Sequence, residues 1–423
     1  MVYDYKVMKM RSLRHYFTDS WQRTLYIMFF AQMMTAVGFS SISPFLPLYV
    51  KDLGSVTGMS IELLAGLVYS AQAFTMMLAS PIWGSLADRH GRKLMVERSL
   101  FGGAIILFVI AFSRSAEELV ILRAIQGLIT GTIAASSALI ASIVPRDRMG
   151  YAMGLIQVGL GAGVALGPLL GGAVADAFGY SSAFFVTAAL LLLAGIIVLV
   201  GVHEDFTPIN NSEKSENNIA KKWFQIISMP GVGIAYGMRF MAQLGRMMVI
   251  PILALFIESI LLDSTGVNTF TGLVIGAGSA AMTISGIYLG RLGDRIGHRP
   301  IVILSCLLAG LLYLPQSIVT QGWQMLVLYA LVGVGIGGII PSLSALLTNY
   351  THPGDEGAVF GLDNSIRAGA RSIAPLIGSV VGLWFGLRST FIASGLIFLI
   401  TGGFALWFLP KPERSPEDQT SLR

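Results

Sequence analysis

Asp363, Arg367 and Arg371 follow one another at four-residue intervals, and Arg239, Gln243 and Arg246 at intervals of four and three. Each set lines one face of a helix. Both fall inside long apolar runs, so four arginines stand against one acid where water is scarce. Three chemistries are open. Asp363 can neutralise Arg367 one turn away while the other cations bond to carbonyls. The arginines can bind an anionic substrate group, because guanidinium forks match carboxylates and phosphates. Or they can line an inner gate that releases Asp363 to take a proton in one state. Asp363, a carboxylate inside a span, is the first candidate for the proton carrier. Arg123 is a further cation within an apolar run. At a helix centre it costs about 2.5–3.5 kcal/mol to insert, so it is expected to face a cavity or a partner, or else to bond carbonyls at a bend.

Other chemistries find no residues to carry them. No Gly-Lys dipeptide occurs, so the phosphate-binding loop of ATPases is absent and transport must run on a gradient. There is no hydrolase nucleophile motif and no metal-ligand cluster within a span, so neither an enzyme nor a cofactor is expected. Cys306 is the single cysteine, which rules out an intramolecular disulfide. His15, His90, His203, His298 and His352 all fall in expected loops or tails, away from an intramembrane relay. Phe45, Tyr49, Trp83, Phe240, Phe256 and Tyr329 can stack on aromatic substrates, although scattered aromatics in membrane helices more often pack or anchor.

The elements that must position these side chains are membrane helices. The chain is 54% hydrophobic and 12% charged, with a mean hydropathy of +0.72. About twelve apolar runs of ~20 residues, long enough to cross a bilayer core, lie between Tyr26 and Pro410. The charged stretch Gly84 to Lys93 returns 206 positions later at Gly290 to Arg299. Gly150, Gly154, Pro168 and Gly171 return 207 positions later as Gly357, Gly361, Pro375 and Gly378. Such a repeat means two similar halves. The reading is an all-α membrane protein of twelve transmembrane helices in two pseudo-symmetric six-helix bundles: a tail at 1–24, bundles at 25–202 and 223–409, a polar linker at 203–222, and a tail at 410–423. Lysines and arginines gather in the tails, the linker and the repeated charged loops, while only Lys51, Arg114 and Arg388 fall on the other side. That bias places both termini in the cytoplasm and accounts for the net charge of +5 without nucleic acid.

Within the first charged loop, Gly84 is expected to end a helix against a close neighbour, and Asp88 to sit between cations as a conformational latch with Arg89 and Arg92. Asp294 and Arg295 form its second copy. This loop resembles the signature between the second and third helices of the major facilitator superfamily. There the aspartate is thought to stabilise the outward-facing state by contacting the opposite half, a role the resemblance assigns to Asp88. In the fifth run, Gly159, Gly163, Gly167 and Gly171 recur every four residues and form a stripe for close helix packing. Pro168 removes a backbone donor within it. The string Gly154, Gly163, Gly167, Pro168, Gly171, Gly172 resembles the antiporter signature of the drug:proton branch, implying a gating helix with a moving seam. Gly272, Gly276 and Ala280 offer a second stripe. Arg123 with Gln126 and Gly127 resembles the family's fourth-helix motif, which implies a part in proton coupling. Asn364, Ser365, Arg367 and Gly369 are similar to the eleventh helix of bacterial multidrug exporters. One departure stands out: the first run has no carboxylate, where many drug:proton antiporters place one.

The resemblance implies a monomeric, proton-coupled exporter of amphipathic drugs in a bacterial cytoplasmic membrane, working by alternating access among membrane lipids. Two other functions remain open. One is export or flipping of an anionic metabolite or lipid, motivated by the arginines; the other is a sensor or scaffold that binds without transporting.

Overall fold

A computed structural model of the 423-residue chain describes residues 20–145, 148–204, 219–261, 265–351 and 356–410, and among these every regular element is a helix. In the first half these are α1 (Ser20–Ser41), α2 (Leu46–Leu53), α3 (Ile61–His90), α4 (Arg92–Ile110), α5 (Ala116–Ile129), α6 (Thr132–Ile143), α7 (Met149–Phe178) and α8 (Tyr180–Gly201). A short helix, α9 (Ile219–Ile227), follows, then α10 (Val232–Met248), α11 (Ile250–Ile260), α12 (Val267–Ile296), α13 (His298–Tyr313), α14 (Gly322–Gly337), α15 (Ile339–Tyr350), α16 (Glu356–Phe385) and α17 (Leu387–Phe408).

Ten helices among the described residues are long and apolar enough to cross a membrane. The two remaining spans fall short for physical reasons. Helix α4 opens with Arg92, Lys93, Glu97 and Arg98, too many charges for an apolar window. The span of α5 and α6 is broken by Thr130, which is extended, and Gly131 at φ +146°, a value that favours glycine. Counting these two gives twelve.

The duplication extends to backbone detail. Helices α3 and α12 have 30 residues each, as do α7 and α16, while α8 and α17 have 22 each. The turns between them also match: Gly91 and Gly297 have φ of +99° and +95°, and Gly179 and Gly386 have +84° and +86°. A Cβ on Gly171 would run into the carbonyl oxygen of Ser41 on α1, and one on Gly378 into that of Met248 on α10. Helices α1 and α10 stop there; the chain resumes as α2 after four residues and as α11 after one.

Two compact units result. The first holds α1 to α8 except Ser60–Ser70, at the start of α3, and includes Thr265–Gly276, at the start of α12; the second holds Ser60–Ser70 and the other described helices. In the first, α1 packs along α7 and α8, and α4 along α8. In the second, α10 packs along α16 and α17, and α13 along α17. Phe45, Phe184, Phe256, Phe391 and Phe398 are fully buried within these packings. The expected tails lie almost wholly outside the described residues, as does most of the expected linker. The linker's last residues, from Ile219, already belong to α9, whose Phe224 is exposed while Ile226 is buried.

Candidate substrate and coupling site

Helices α10 and α16 run parallel, fixed by three contacts. The Tyr236 hydroxyl donates to the Val359 carbonyl at 2.9 Å, the Arg239 Nε to Asp363 Oδ1 at 2.7 Å, and Gly378 lies against Met248. The central contact is the heart of the site. Arg239 also donates from Nη1 to the Ile340 carbonyl at 3.0 Å and from Nη2 to Ser344 Oγ at 2.6 Å, so each guanidinium nitrogen has a partner. The second oxygen of Asp363 faces Arg367 Nη1 at 3.5 Å. One buried carboxylate therefore bridges two arginines. Asp363 does meet Arg367 one turn away, as the first of the three readings has it, but Arg239 sits closer and is almost fully buried, while Arg367 is 29% exposed. Among the described residues only three charged side chains are buried: Arg123, Arg239 and Asp363.

Beyond this pair, Arg246 and Arg371 are half-buried and close enough to act electrostatically on each other and on Arg367. Tyr313 and Tyr329 are near enough to Arg246 to act on it electrostatically. Gln243 is buried with its amide nitrogen unpartnered. Of the aromatic candidates, only Tyr329 joins this group. Phe45 and Tyr49 pack on Tyr180 and Phe184, Phe256 packs edge-on to Phe391, and Phe240 covers Leu244 and Met248. Trp83 donates to the Leu128 carbonyl at 2.6 Å and carries Arg98 over its ring at 3.4 Å.

In the first unit, Arg123 is buried on α5 and donates to Gln126 Oε1 at 2.8 Å, so two residues of the fourth-span motif hold each other. The glycine stripe of α7 faces α1. A Cβ on Gly159 would meet Phe29, on Gly163 Met33 and Ala36, on Gly167 Val37 and Ser40, and on Gly171 Ser41. Ser40 Oγ donates across the seam to the Gly163 carbonyl at 2.9 Å. The stripe is thus a packed contact within one unit, because only glycine lets the two backbones come this close. Pro168 and Gly172 instead meet Gly272 and Asn268 at the start of α12, while a Cβ on Gly154 would meet only open space.

The charged loop differs from expectation. Helix α3 continues past Gly84, which has open space around it, and ends at His90; the turn is made by Gly91. Nothing is close enough to Gly84 to stop the helix there. The Asp88 side chain lies outside the described residues. Arg89 and Arg295 are exposed, and Asp294 pairs with His298 at 3.2 Å. Two features here were not anticipated. Glu204 accepts from the backbone N–H groups of Arg92 and Lys93 at 3.1 and 2.7 Å, placing a carboxylate at the positive end of α4. Lys93 Nζ donates to the Leu199 carbonyl at 3.1 Å, and Arg299 Nη2 to the Leu406 carbonyl at 2.8 Å, so each repeat's cation caps the end of its bundle's last helix. Asp176 accepts from the backbone and side chains of both Asn268 and Thr269. Spacing along the chain gives no sign of these contacts, since each pair is about a hundred residues apart; the acid after the eighth helix was the one available hint.

Twelve spans in two repeated halves, with polar groups confined to a few inward helix faces, define a secondary transporter. The family model of the Major Facilitator Superfamily matches residues 28–240 and 235–423, and the chain belongs to that superfamily as an integral membrane protein. It is 33% identical over 401 residues to the multidrug resistance protein MdtG of Serratia proteamaculans, covering 94% of this chain and 97% of that one. It is likewise 33% identical over 373 residues to the MdtG of Proteus mirabilis, covering 88% and 92%. Among solved structures, a bacterial homologue of the human lysosomal transporter Spinster superposes with a TM-score of 0.77 at 13% identity, covering 94% of this chain and 99% of that one. The human organic anion transporter MFSD10 does so with 0.65 at 18% identity, covering 91% and 99%. At these identities the structures speak to the fold.

Proposed function

We propose that this chain exports amphipathic drugs in exchange for protons, as a monomer in the bacterial cytoplasmic membrane with both termini inside. The relatives' name supports the cargo class. The observation that carries the coupling is the buried Asp363 between Arg239 and Arg367. An arginine does not give up its proton in a protein, so of the three buried charges only Asp363 can carry one.

The mechanism follows from the pair's geometry. A proton on Asp363 removes the charge that holds Arg239 and Arg367. Arg239 keeps Ile340 and Ser344, whereas Arg367 loses the one ion pair it makes among the described residues and becomes free to move. Loading and unloading of one proton therefore shifts a half-exposed cation in the interior of the second unit, where cargo is handled. Arg123 is assigned a positioning part through Gln126, and the Asp88 and Asp294 loops a part in stabilising one state. The domain limits are proposed as 25–202 and 223–409, with the tails and the segment between them cytoplasmic.

The test is efflux of a cationic dye from proteoliposomes under an imposed proton gradient. Native protein is expected to move the dye only with the gradient, and Asp363→Asn to abolish the gradient dependence. Unchanged gradient-driven efflux in that variant would remove Asp363 from the mechanism. Binding without any transport in the native protein would favour a sensor.

A further inference from the structure

We propose that Arg246 and Arg371, with the amide of Gln243, form a site for the carboxylate of an amphipathic ligand in the interior of the second unit. The inference deepens the transport reading by naming a cargo class, and rests on it only in treating the ligand as cargo.

The placement follows from the two ends of the α10–α16 contact. Arg239 meets Asp363 at one end and Met248 meets Gly378 at the other. Arg246 lies seven residues beyond Arg239, and Arg371 eight beyond Asp363. At 1.5 Å per residue both lie about 10–12 Å past the buried ion pair in the same direction. Gln243 and Arg246 are three apart and share a face of α10.

The chemistry there is dominated by donors. Among the described residues, neither Arg246 nor Arg371 makes a hydrogen bond or an ion pair. The Gln243 Nε2 and the Arg367 Nε are buried without partners. The one nearby acid, Asp363, is already committed to Arg239 and Arg367. Tyr329 is near enough to Arg246 to act on it electrostatically and is partly exposed, while Tyr313 is fully buried and stacked on Phe398. Unpaired buried donors are costly, and a second cation beside the first adds repulsion. A planar oxyanion relieves both, since it accepts from two guanidinium forks at once. Arg246 and Arg371 are both partly exposed, so the site is open to a ligand.

The test is direct binding by the purified full chain in neutral detergent, using three probes that differ in charge: dansylglycine, its uncharged amide, and dansylethylenediamine. The native protein is expected to bind dansylglycine about tenfold or more tighter than the amide, the scale of one charged hydrogen-bonding contact. Arg246→Gln and Arg371→Gln should each bring the carboxylate down to the amide's affinity, while an unchanged thermal unfolding temperature shows that the fold survives. Arg246→Lys, keeping the charge and losing the fork, should fall between. Equal affinity for carboxylate and amide in the native chain overturns the site, whatever the variants do. So does a double Gln variant that keeps the preference. Gradient-driven efflux of dansylglycine from proteoliposomes of the same protein separates the two readings: charge-selective binding without such efflux leaves the site standing and removes the antiporter, and efflux with charge-blind binding does the reverse.

Discussion

The two bundles share a backbone and differ in their charges. Gly171 and Gly378, 207 positions apart, press on Ser41 and Met248, which are also 207 apart. At that same offset, Arg239, Arg246, Asp363, Arg367 and Arg371 correspond to Gln32, Phe39, Ile156, Leu160 and Val164. The first unit thus places a mostly apolar face where the second places four arginines and an acid. Close backbone contact leaves no alternative to glycine, so it persists in both copies. Side chains lining an interior are free to diverge, and here one copy carries charges on this face while the other stays mostly apolar.

The sharpest way to break this comparison is at Asp363. Asp363→Leu should lower stability by about 3–5 kcal/mol, because Arg239 is left buried and uncompensated. Combining it with Arg239→Met should restore much of the loss without restoring gradient-driven efflux. Thermal unfolding in detergent reads the first effect and proteoliposome transport the second. If the single variant melts like the native chain, the pair is not the anchor of the second unit. The corresponding change in the first unit, Ile156→Leu, should be nearly silent in transport, and a large transport loss there would undo the contrast.

A smaller effect sharpens the symmetrical part. Gly171→Ala and Gly378→Ala each push a methyl group into a carbonyl, and overpacking of this kind costs about 1–3 kcal/mol. Similar losses at both positions are expected in unfolding experiments. A large difference would mean that the frames are less alike than their backbones. The smallest effects lie at the helix ends. Lys93→Met and Arg299→Met should each cost about 0.3–1 kcal/mol, with Arg299 at the upper end because it also donates from Nε to the Leu409 carbonyl at 2.8 Å. Amide exchange at the ends of α8 and α17 would show the loss as faster opening.

Much of this frame is legible in the sequence because it is repeated. The glycine and charged-loop offsets give the two halves, and apolar length gives the spans. The site is legible in part: the i, i+4 spacing of Asp363, Arg367 and Arg371 marks a polar helix face. It cannot say which arginine takes the acid. The choice fell to Arg239, 124 residues away, because Ile340 and Ser344 complete its guanidinium shell, and that is a matter of tertiary contact. The glycine stripe was readable as a seam, but its partner was not, since small residues specify close approach without naming the neighbour. Gly84 misled for a related reason: glycine allows a helix to end and does not require it.

The caps made by Lys93 and Arg299 also bear on how the chain is built. Lys93 waits for a carbonyl 106 residues later, and Arg299 for one 107 residues later. Neither bond can form on the ribosome until the last helix of its own bundle has emerged. Each half therefore carries its own closing step in biosynthesis, and the first can be fastened while the second is still unmade.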